Sequence, residues 1–199
     1  MKTIVITGPS GSGKSFLANR LSNDIKNSII INTDSYYRDN LLIRILSLFM
    51  NDIYDRVISI KAKEIIKTIN SIYNNEKHIT FYTYNFKTKK SSKIIKYGDR
   101  KIKFIIVEGV FSHRISLNYK ESLNILCKEN KSICYQRRLI RDKIERGRKR
   151  SEVNKKFNSS WNLFYNNLHS YIETNDVFET NTFDKINYDR LINKLNIKL

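Results

Sequence analysis

Gly8-Pro9-Ser10-Gly11-Ser12-Gly13-Lys14-Ser15 fits the phosphate-loop pattern G-x-x-x-x-G-K-[ST]. The run before it, Thr3-Ile4-Val5-Ile6-Thr7, is short, apolar and β-branched, and reads as a buried strand. After it, Phe16, Leu17, Ala18 and Leu21 fit one face of a helix. Strand, loop and helix form the context the pattern requires. Its glycines let successive N–H groups point into one concavity, and the helix adds the positive end of its dipole. Lys14 is expected to reach the β- and γ-phosphates of a nucleotide, and Ser15 to ligand Mg²⁺. The loop points to nucleotide binding and leaves open what is done with the nucleotide.

At 199 residues the chain is expected to form a single domain with a full core. It opens on a strand and carries no apolar run approaching 18 residues, so no leader and no membrane span are expected. Cys127 and Cys134 lack any C-x-x-C spacing and read as free thiols of a cytoplasmic protein. Net charge is +18. Nucleic-acid binding, polyphosphate handling and compositional drift compete to explain it. The lysines are dispersed, and Asn, Ile, Lys and Tyr are heavily used, which favours drift combined with phosphate handling over a nucleic-acid partner.

Asn27-Ser28-Ile29-Ile30-Ile31-Asn32 reads as a second strand, followed by Thr33-Asp34-Ser35-Tyr36-Tyr37-Arg38. In an open parallel α/β sheet, functional groups gather at the carboxyl ends of strands, so Asp34 is expected beside the phosphate loop. The alternative is that Asp34 or Ser35 caps the next helix. Residues 40–73 look helical, with a stripe of Leu41, Leu42, Ile45, Leu46 and Phe49, a break at Asn51-Asp52, and a second apolar face from Val57 and Ile58 to Ile72 and Tyr73.

Residues 79–97 read as a projecting β-hairpin rich in aromatics, with a basic tip at 87–92. Phe104-Ile105-Ile106-Val107 is the most buried-looking strand; Glu108 just beyond it is where a Mg²⁺-coordinating acid belongs. Leu123 to Cys127 reads as a further strand, and Asp176-Val177-Phe178-Glu179 as a last one. The segment 132–150 carries Arg137, Arg138, Arg141, Arg146 and Arg148 and reads as a lid. Arg138, Arg141 and Arg148 are spaced for one helix face, and Gly147 offers an end or hinge. Arginines of this kind stabilise charge on a transferring phosphoryl group and help exclude water. Residues 151–172 read as a helix whose aromatics, Phe157, Trp161, Phe164, Tyr165 and Tyr171, belong to the core.

Together, G-P-S-G-S-G-K-S, D-S-Y-Y-R, the E-G after a central strand, and R-R-x-x-R-D-x-x-E-R-G-R resemble the uridine kinase family, with phosphoribulokinase-type and nicotinamide riboside kinases as relatives. The resemblance spans residues 3 to 150. It implies a three-layer α/β P-loop NTPase fold: a parallel sheet of about five strands, helices on both faces, a hairpin flap and an arginine-rich lid helix. It implies transfer of the γ-phosphoryl of ATP or GTP to the 5′-hydroxyl of uridine or cytidine. Asp34 resembles the catalytic base. Lys14 and Arg141 resemble groups that stabilise the transferring phosphoryl, and residues 8–16, through Phe16, with Arg146 and Arg148, the nucleotide site. Ser15 and Glu108 resemble the Mg²⁺ side. Tyr37, Tyr84, Phe86 and Arg138 resemble the acceptor site. Family members are often tetramers, and the sequence marks no interface.

Three acceptor-side positions depart from the family. Met50-Asn51-Asp52-Ile53-Tyr54-Asp55 replaces an acidic His-Pro segment and leaves Asp52 as the candidate for the ribose hydroxyls. Lys89 stands where the family has a base-reading histidine, and Lys156 where it has a glutamine. The phosphate-side pattern is whole. An anionic acceptor (a sugar phosphate, pantothenate or a nucleotide) or nicotinamide riboside is the second reading; a nucleotide-dependent nucleic-acid binder is the third.

Overall fold

The computed structural model describes residues 1–50, 53–99, 101–115 and 122–195. Asp52 therefore lies outside the described residues. Five strands form one parallel sheet: β1 (Lys2–Thr7), β2 (Ser28–Asn32), β5 (Phe104–Glu108), β6 (Ser122–Cys127) and β7 (Val177–Thr180), in the order β2-β5-β1-β6-β7. Their continuous apolar runs are those of strands covered on both faces. The helices are α1 (Lys14–Asp24), α2 (Leu41–Phe49), α3 (Ala62–Tyr73), α4 (Lys131–Arg146), α5 (Arg150–Thr174) and α6 (Lys185–Lys194).

Alternation along each strand divides the core. Ile4 and Ile6 of β1, with Ile106 and Ile125, meet Leu17 and Leu21 of α1 and Leu191 and Ile192 of α6 on one face. Ile105 and Val107 meet Ile65, Ile69 and Ile72 of α3 on the other, while Leu126 meets Phe164 and Leu168 of α5. This is the three-layer α/β sandwich the motifs imply. The hairpin is β3 (His78–Asn85) paired antiparallel with β4 (Lys90–Tyr97), as a separate two-stranded sheet. Ile79 and Tyr82 anchor it against α3. Cys127 and Cys134 are buried free thiols, and no described helix is long and apolar enough to cross a membrane.

Three expectations are corrected. The helical stretch 40–73 is α2, short 3₁₀ turns at Ile53–Asp55 and Val57–Ser59, then α3. The α2 stripe does not enter the core: Leu41 is 71% exposed and Phe49 81%, whereas Ile43, outside the stripe, is buried. Periodicity located the helix, but nothing in its pattern says which elements will pack on it. Phe16 leaves the buried face of α1 and is half exposed.

Behind the sheet edge, His113 in a 3₁₀ turn after β5 bonds through Nδ1 to Thr7 Oγ1, 2.8 Å, and packs edge-on to Phe164 and Tyr171. Burial pushes its pKa down to about 4, aided by the nearby Arg114 charge. The folded value lies below the unfolded one, near 6.5, so stability tied to the neutral ring is present above that pH and is lost as pH falls toward 4. Between pH 7.5 and 5 the wild type should lose about 2 kcal/mol from this group. Thermal melts of His113→Gln, which keeps a hydrogen-bonding partner for Thr7, should show a shallower loss over the same interval.

Candidate active site

The order β2-β5-β1 places three carboxyl ends side by side, and each delivers one group. From β1 the chain enters the phosphate loop. Gly13 sits at φ +91° with Thr182 3.0 Å from where a Cβ would be, so a side chain there meets both strain and contact. Thr182 Oγ1 donates to the carbonyl of Ser12, 2.9 Å, tying the loop to the segment after β7. Lys14 begins α1, and its ammonium donates to the carbonyl of Pro9 across the loop, 2.9 Å. Burial holds its pKa below the usual lysine value, opposed by the charges of Glu108 and Asp34.

From β5 comes Glu108. Ser15 Oγ lies 3.2 and 3.3 Å from its two carboxylate oxygens and donates to them. Burial, and then the Asp34 charge, push the Glu108 pKa up to about 7, while Lys14 pulls it down. Gly109 follows at φ +149°, and a Cβ there would fall 1.8 Å from Thr33 Oγ1. Only glycine lets the segment after β2 lie this close to the end of β5.

From β2 comes Asp34, in a 3₁₀ turn (Thr33–Tyr36) whose cap is Asn32: its Oδ1 accepts the Asp34 N–H at 2.7 Å. Asn32, rather than Asp34, therefore does the capping. Asp34 Oδ1 is buried and has no hydrogen-bond partner among the described residues. A buried carboxylate oxygen left open within the fields of Lys14 and Glu108 is poised for a proton, a cation or an incoming hydroxyl.

The lid faces this row. Arg137 Nη1 donates to the carbonyl of Gly11, 3.3 Å, and Arg141 Nη2 to Ser10 Oγ, 3.0 Å, so α4 touches the loop at two points. Gly147, at φ +63°, ends α4. Arg148 therefore joins Arg138 and Arg141 through the turn beyond the helix, not through helical spacing as the sequence suggested. Arg138 is buried, with Nη1 donating to Ser160 Oγ of α5, 2.8 Å. Arg146 stacks over Phe86, 4.2 Å from guanidinium carbon to ring centre, and so joins lid to hairpin.

Between lid and hairpin lies a cavity of about 40 Å³, lined by Tyr37, Tyr54, Tyr84 and Phe86 with Lys89, Arg138, Arg146, Arg148 and Lys156. Tyr37 contributes its ring; its hydroxyl donates to the Tyr54 carbonyl, 2.7 Å. A larger recess, about 560 Å³, opens beside Ser122 and Asn124 at the start of β6, away from the phosphate loop. On the other flank, Phe16 stacks on Phe183 with ring centres 5.0 Å apart, and the Arg137 guanidinium lies 4.4 Å over Phe183. Sequence reasoning missed Arg137, Thr182 and Phe183 as site residues. Arg137 stands in the arginine run; no motif marks the other two.

Residues 3–179 match the Phosphoribulokinase / Uridine kinase family. The chain belongs to this family. A uridine kinase of Haemophilus ducreyi is 30% identical over 159 residues, covering 75% of this chain and 71% of the relative. A uridine kinase of Ureaplasma parvum serovar 3 is 30% identical over 167 residues, covering 81% and 79%. A solved structure described as a possible uridine kinase from Bacillus stearothermophilus superposes with a TM-score of 0.58 at 16% identity, covering 88% and 86%. The chain is thus a phosphotransferase of the P-loop kinase superfamily, with a fold that binds ATP or GTP.

Burying the Lys14 ammonium costs the ligand-free fold stability that a neutral side chain would not. Lys14→Met should raise the melting midpoint of the free protein by roughly 2–4 °C, about 1 kcal/mol. In differential scanning fluorimetry the same variant should lose the upward shift that ATP gives the wild type.

Proposed function

We propose that this protein transfers the γ-phosphoryl group of ATP or GTP to the 5′-hydroxyl of uridine or cytidine. The observation that carries the reading is the open, buried Asp34 Oδ1, set among Lys14, Ser15 and Glu108 at adjoining strand ends. The two bacterial uridine kinases that the chain resembles, each matched over more than two thirds of its length, support the nucleoside.

Asp34 accepts the proton of the attacking hydroxyl as general base. The Lys14 ammonium exchanges the Pro9 carbonyl for phosphate oxygens, and the forked donors of Arg141, Arg146 and Arg148 take up charge on the transferring group. The lid and hairpin, already joined through Arg146 and Phe86, exclude water from the reacting phosphoryl. The rings of Tyr37, Tyr54, Tyr84 and Phe86 frame a flat base, with Arg138 at its edge.

Ser15 and Glu108 would hold Mg²⁺, with Asp34 nearby as the base. No group of three or more His, Cys, Asp or Glu gathers among the described residues, and one carboxylate with a hydroxyl suits an ion that keeps several waters and phosphate oxygens as ligands. Bound there, Mg²⁺ would offset the charge of the β- and γ-phosphates. Glu108 must be ionised to serve, and burial raises its pKa, so the neighbouring cations matter to its readiness.

A second reading keeps the machinery and changes the acceptor. Lys89 and Lys156 both line the acceptor cavity, which favours an acceptor carrying an anionic group.

The test is ATP consumption with Mg²⁺ against uridine, cytidine, nicotinamide riboside, pantothenate, UMP and CMP. Turnover on uridine or cytidine is expected, with kcat lowered roughly 100- to 10,000-fold by Asp34→Asn. Wild-type turnover in that variant would remove Asp34 as the base. Silence on the nucleosides, with turnover on an anionic compound, would establish the second reading in place of the first.

A further inference from the structure

Asp142 is the aspartate of R-R-x-x-R-D-x-x-E-R-G-R, and the proposed reaction gives it no role although a cluster of arginines centres on it. Its side chain is 0% exposed, and four guanidinium groups reach its carboxylate: Arg138 at 3.6 Å, Arg141 at 3.5 Å, Arg146 at 3.3 Å and Arg148 at 2.8 Å. Glu152, half exposed, meets Arg148 from the rim at 3.5 Å. The carbonyl of Asp142 also accepts the N–H groups of Gly147 and Arg148, which folds Arg148 back over the end of α4.

We infer that Asp142 is a positioning residue for phosphoryl transfer: its carboxylate gathers the lid arginines around one point and aims Arg141, Arg146 and Arg148 at the donor's phosphates. The inference rests on the reading that these arginines meet the phosphates.

The geometry of the contacts separates holding from consuming. Among the contacts of Arg141, Arg146 and Arg148 with the Asp142 carboxylate, the described residues show one short hydrogen bond, from Arg148 Nη1 to Oδ2. The contacts of Arg138, Arg141 and Arg146 lie at 3.3–3.6 Å, where charge attraction persists and hydrogen bonding is weak. Arg141 Nε and Arg146 Nε are buried and make no hydrogen bond among the described residues. The carboxylate thus overcomes repulsion among neighbouring like charges while leaving Nε donors of Arg141 and Arg146 unspent among the described residues. Arg141, Arg146 and Arg148 share two carboxylates, Asp142 and Glu152 at the rim, so a cationic excess remains, which a polyanionic phosphate chain complements. Asp142 lies four residues after Arg138 and four before Arg146, so a single α-helical face brings three of these groups together. Arg141 extends the hub to Ser10 of the phosphate loop, so the aim of the cradle and the position of the loop are set together.

Asp142→Asn keeps the side-chain shape and removes the charge. A side chain that merely held the fold would lose nucleotide affinity and turnover together. A positioning carboxylate, once neutralised, leaves a more cationic and less well-aimed cradle. The expected result is a kcat at least tenfold lower with the acceptor identified in the panel above. The ADP dissociation constant should be unchanged or tighter, with a steeper salt dependence by titration calorimetry. A parallel fall in kcat and ADP affinity, tracking a lower melting midpoint, would overturn the inference, as would an unchanged kcat.

If Asp142→Asn does not fold, Asp142→Glu keeps the charge and displaces it by one methylene. It should lose kcat at wild-type ADP affinity and salt slope; wild-type kcat, or failure of both variants to fold, would overturn the positioning role. Arg141→Gln tests the underlying reading separately. If that variant keeps wild-type kcat and ADP affinity, the lid arginines do not serve the phosphates, whatever Asp142 does.

Discussion

The buried ammonium of Lys14 is the constraint around which the rest of the molecule is arranged. A lysine at the first position of α1, under a loop and away from bulk water, is tolerable only with partners close at hand. The fold supplies the Pro9 carbonyl directly and the Glu108 and Asp34 carboxylates at longer range. Neither carboxylate comes from the phosphate loop. Each arrives from the end of another strand, and the order β2-β5-β1 makes those strands consecutive. Thr33 against Gly109 then sets how near the two acidic segments lie. Sheet order, one glycine and one buried cation are thus three aspects of a single requirement.

The opposite wall is built on the inverse charge pattern. Carboxylates cluster at the strand ends beneath the lid; the lid itself is a group of guanidiniums around one carboxylate. The two walls already touch through Arg141 on Ser10 and Arg137 on Gly11. A chain of phosphates lying between them would find acceptors for cations below and donors above. The cavity between lid and hairpin holds about 40 Å³, so admission of a nucleoside-sized molecule requires the two to separate at the Arg146–Phe86 contact. A single cation–π contact of this kind opens at modest cost.

What the sequence made legible follows the range of the forces involved. The phosphate loop, the strands and the arginine run are local patterns, set by backbone chemistry over a few residues, and the family resemblance ordered them. Asp34 at a strand end was legible from topology, but its cap was not: Asn32 and Asp34 are both good capping residues, and only the turn geometry decides between them. The α2 stripe misled because amphipathicity shows that a face is apolar without showing that anything covers it. Arg148 was placed by helical spacing on a helix that Gly147 had already ended. Phe183 and Thr182 lie some 170 residues from the loop they support, and no local pattern connects them to it.

Two of the departures from the family pattern, Lys89 and Lys156, lie away from the strand ends. Lys14, Glu108 and Asp34 are bound to one another through burial and charge, so a change at any of them disturbs a shared balance. Lys89 sits in the hairpin turn at φ +54°, and Lys156 on the first turns of α5, both lining the cavity between lid and hairpin. The hairpin is a two-stranded sheet separate from the parallel one, anchored by a few residues such as Ile79 and Tyr82. Replacing a side chain at its tip leaves the central sheet and its packing untouched. The architecture that fixes the phosphate loop and its carboxylates therefore leaves the hairpin cavity free to change, so the proposed acceptor has to be read from the cavity's own side chains rather than from the intact phosphate loop.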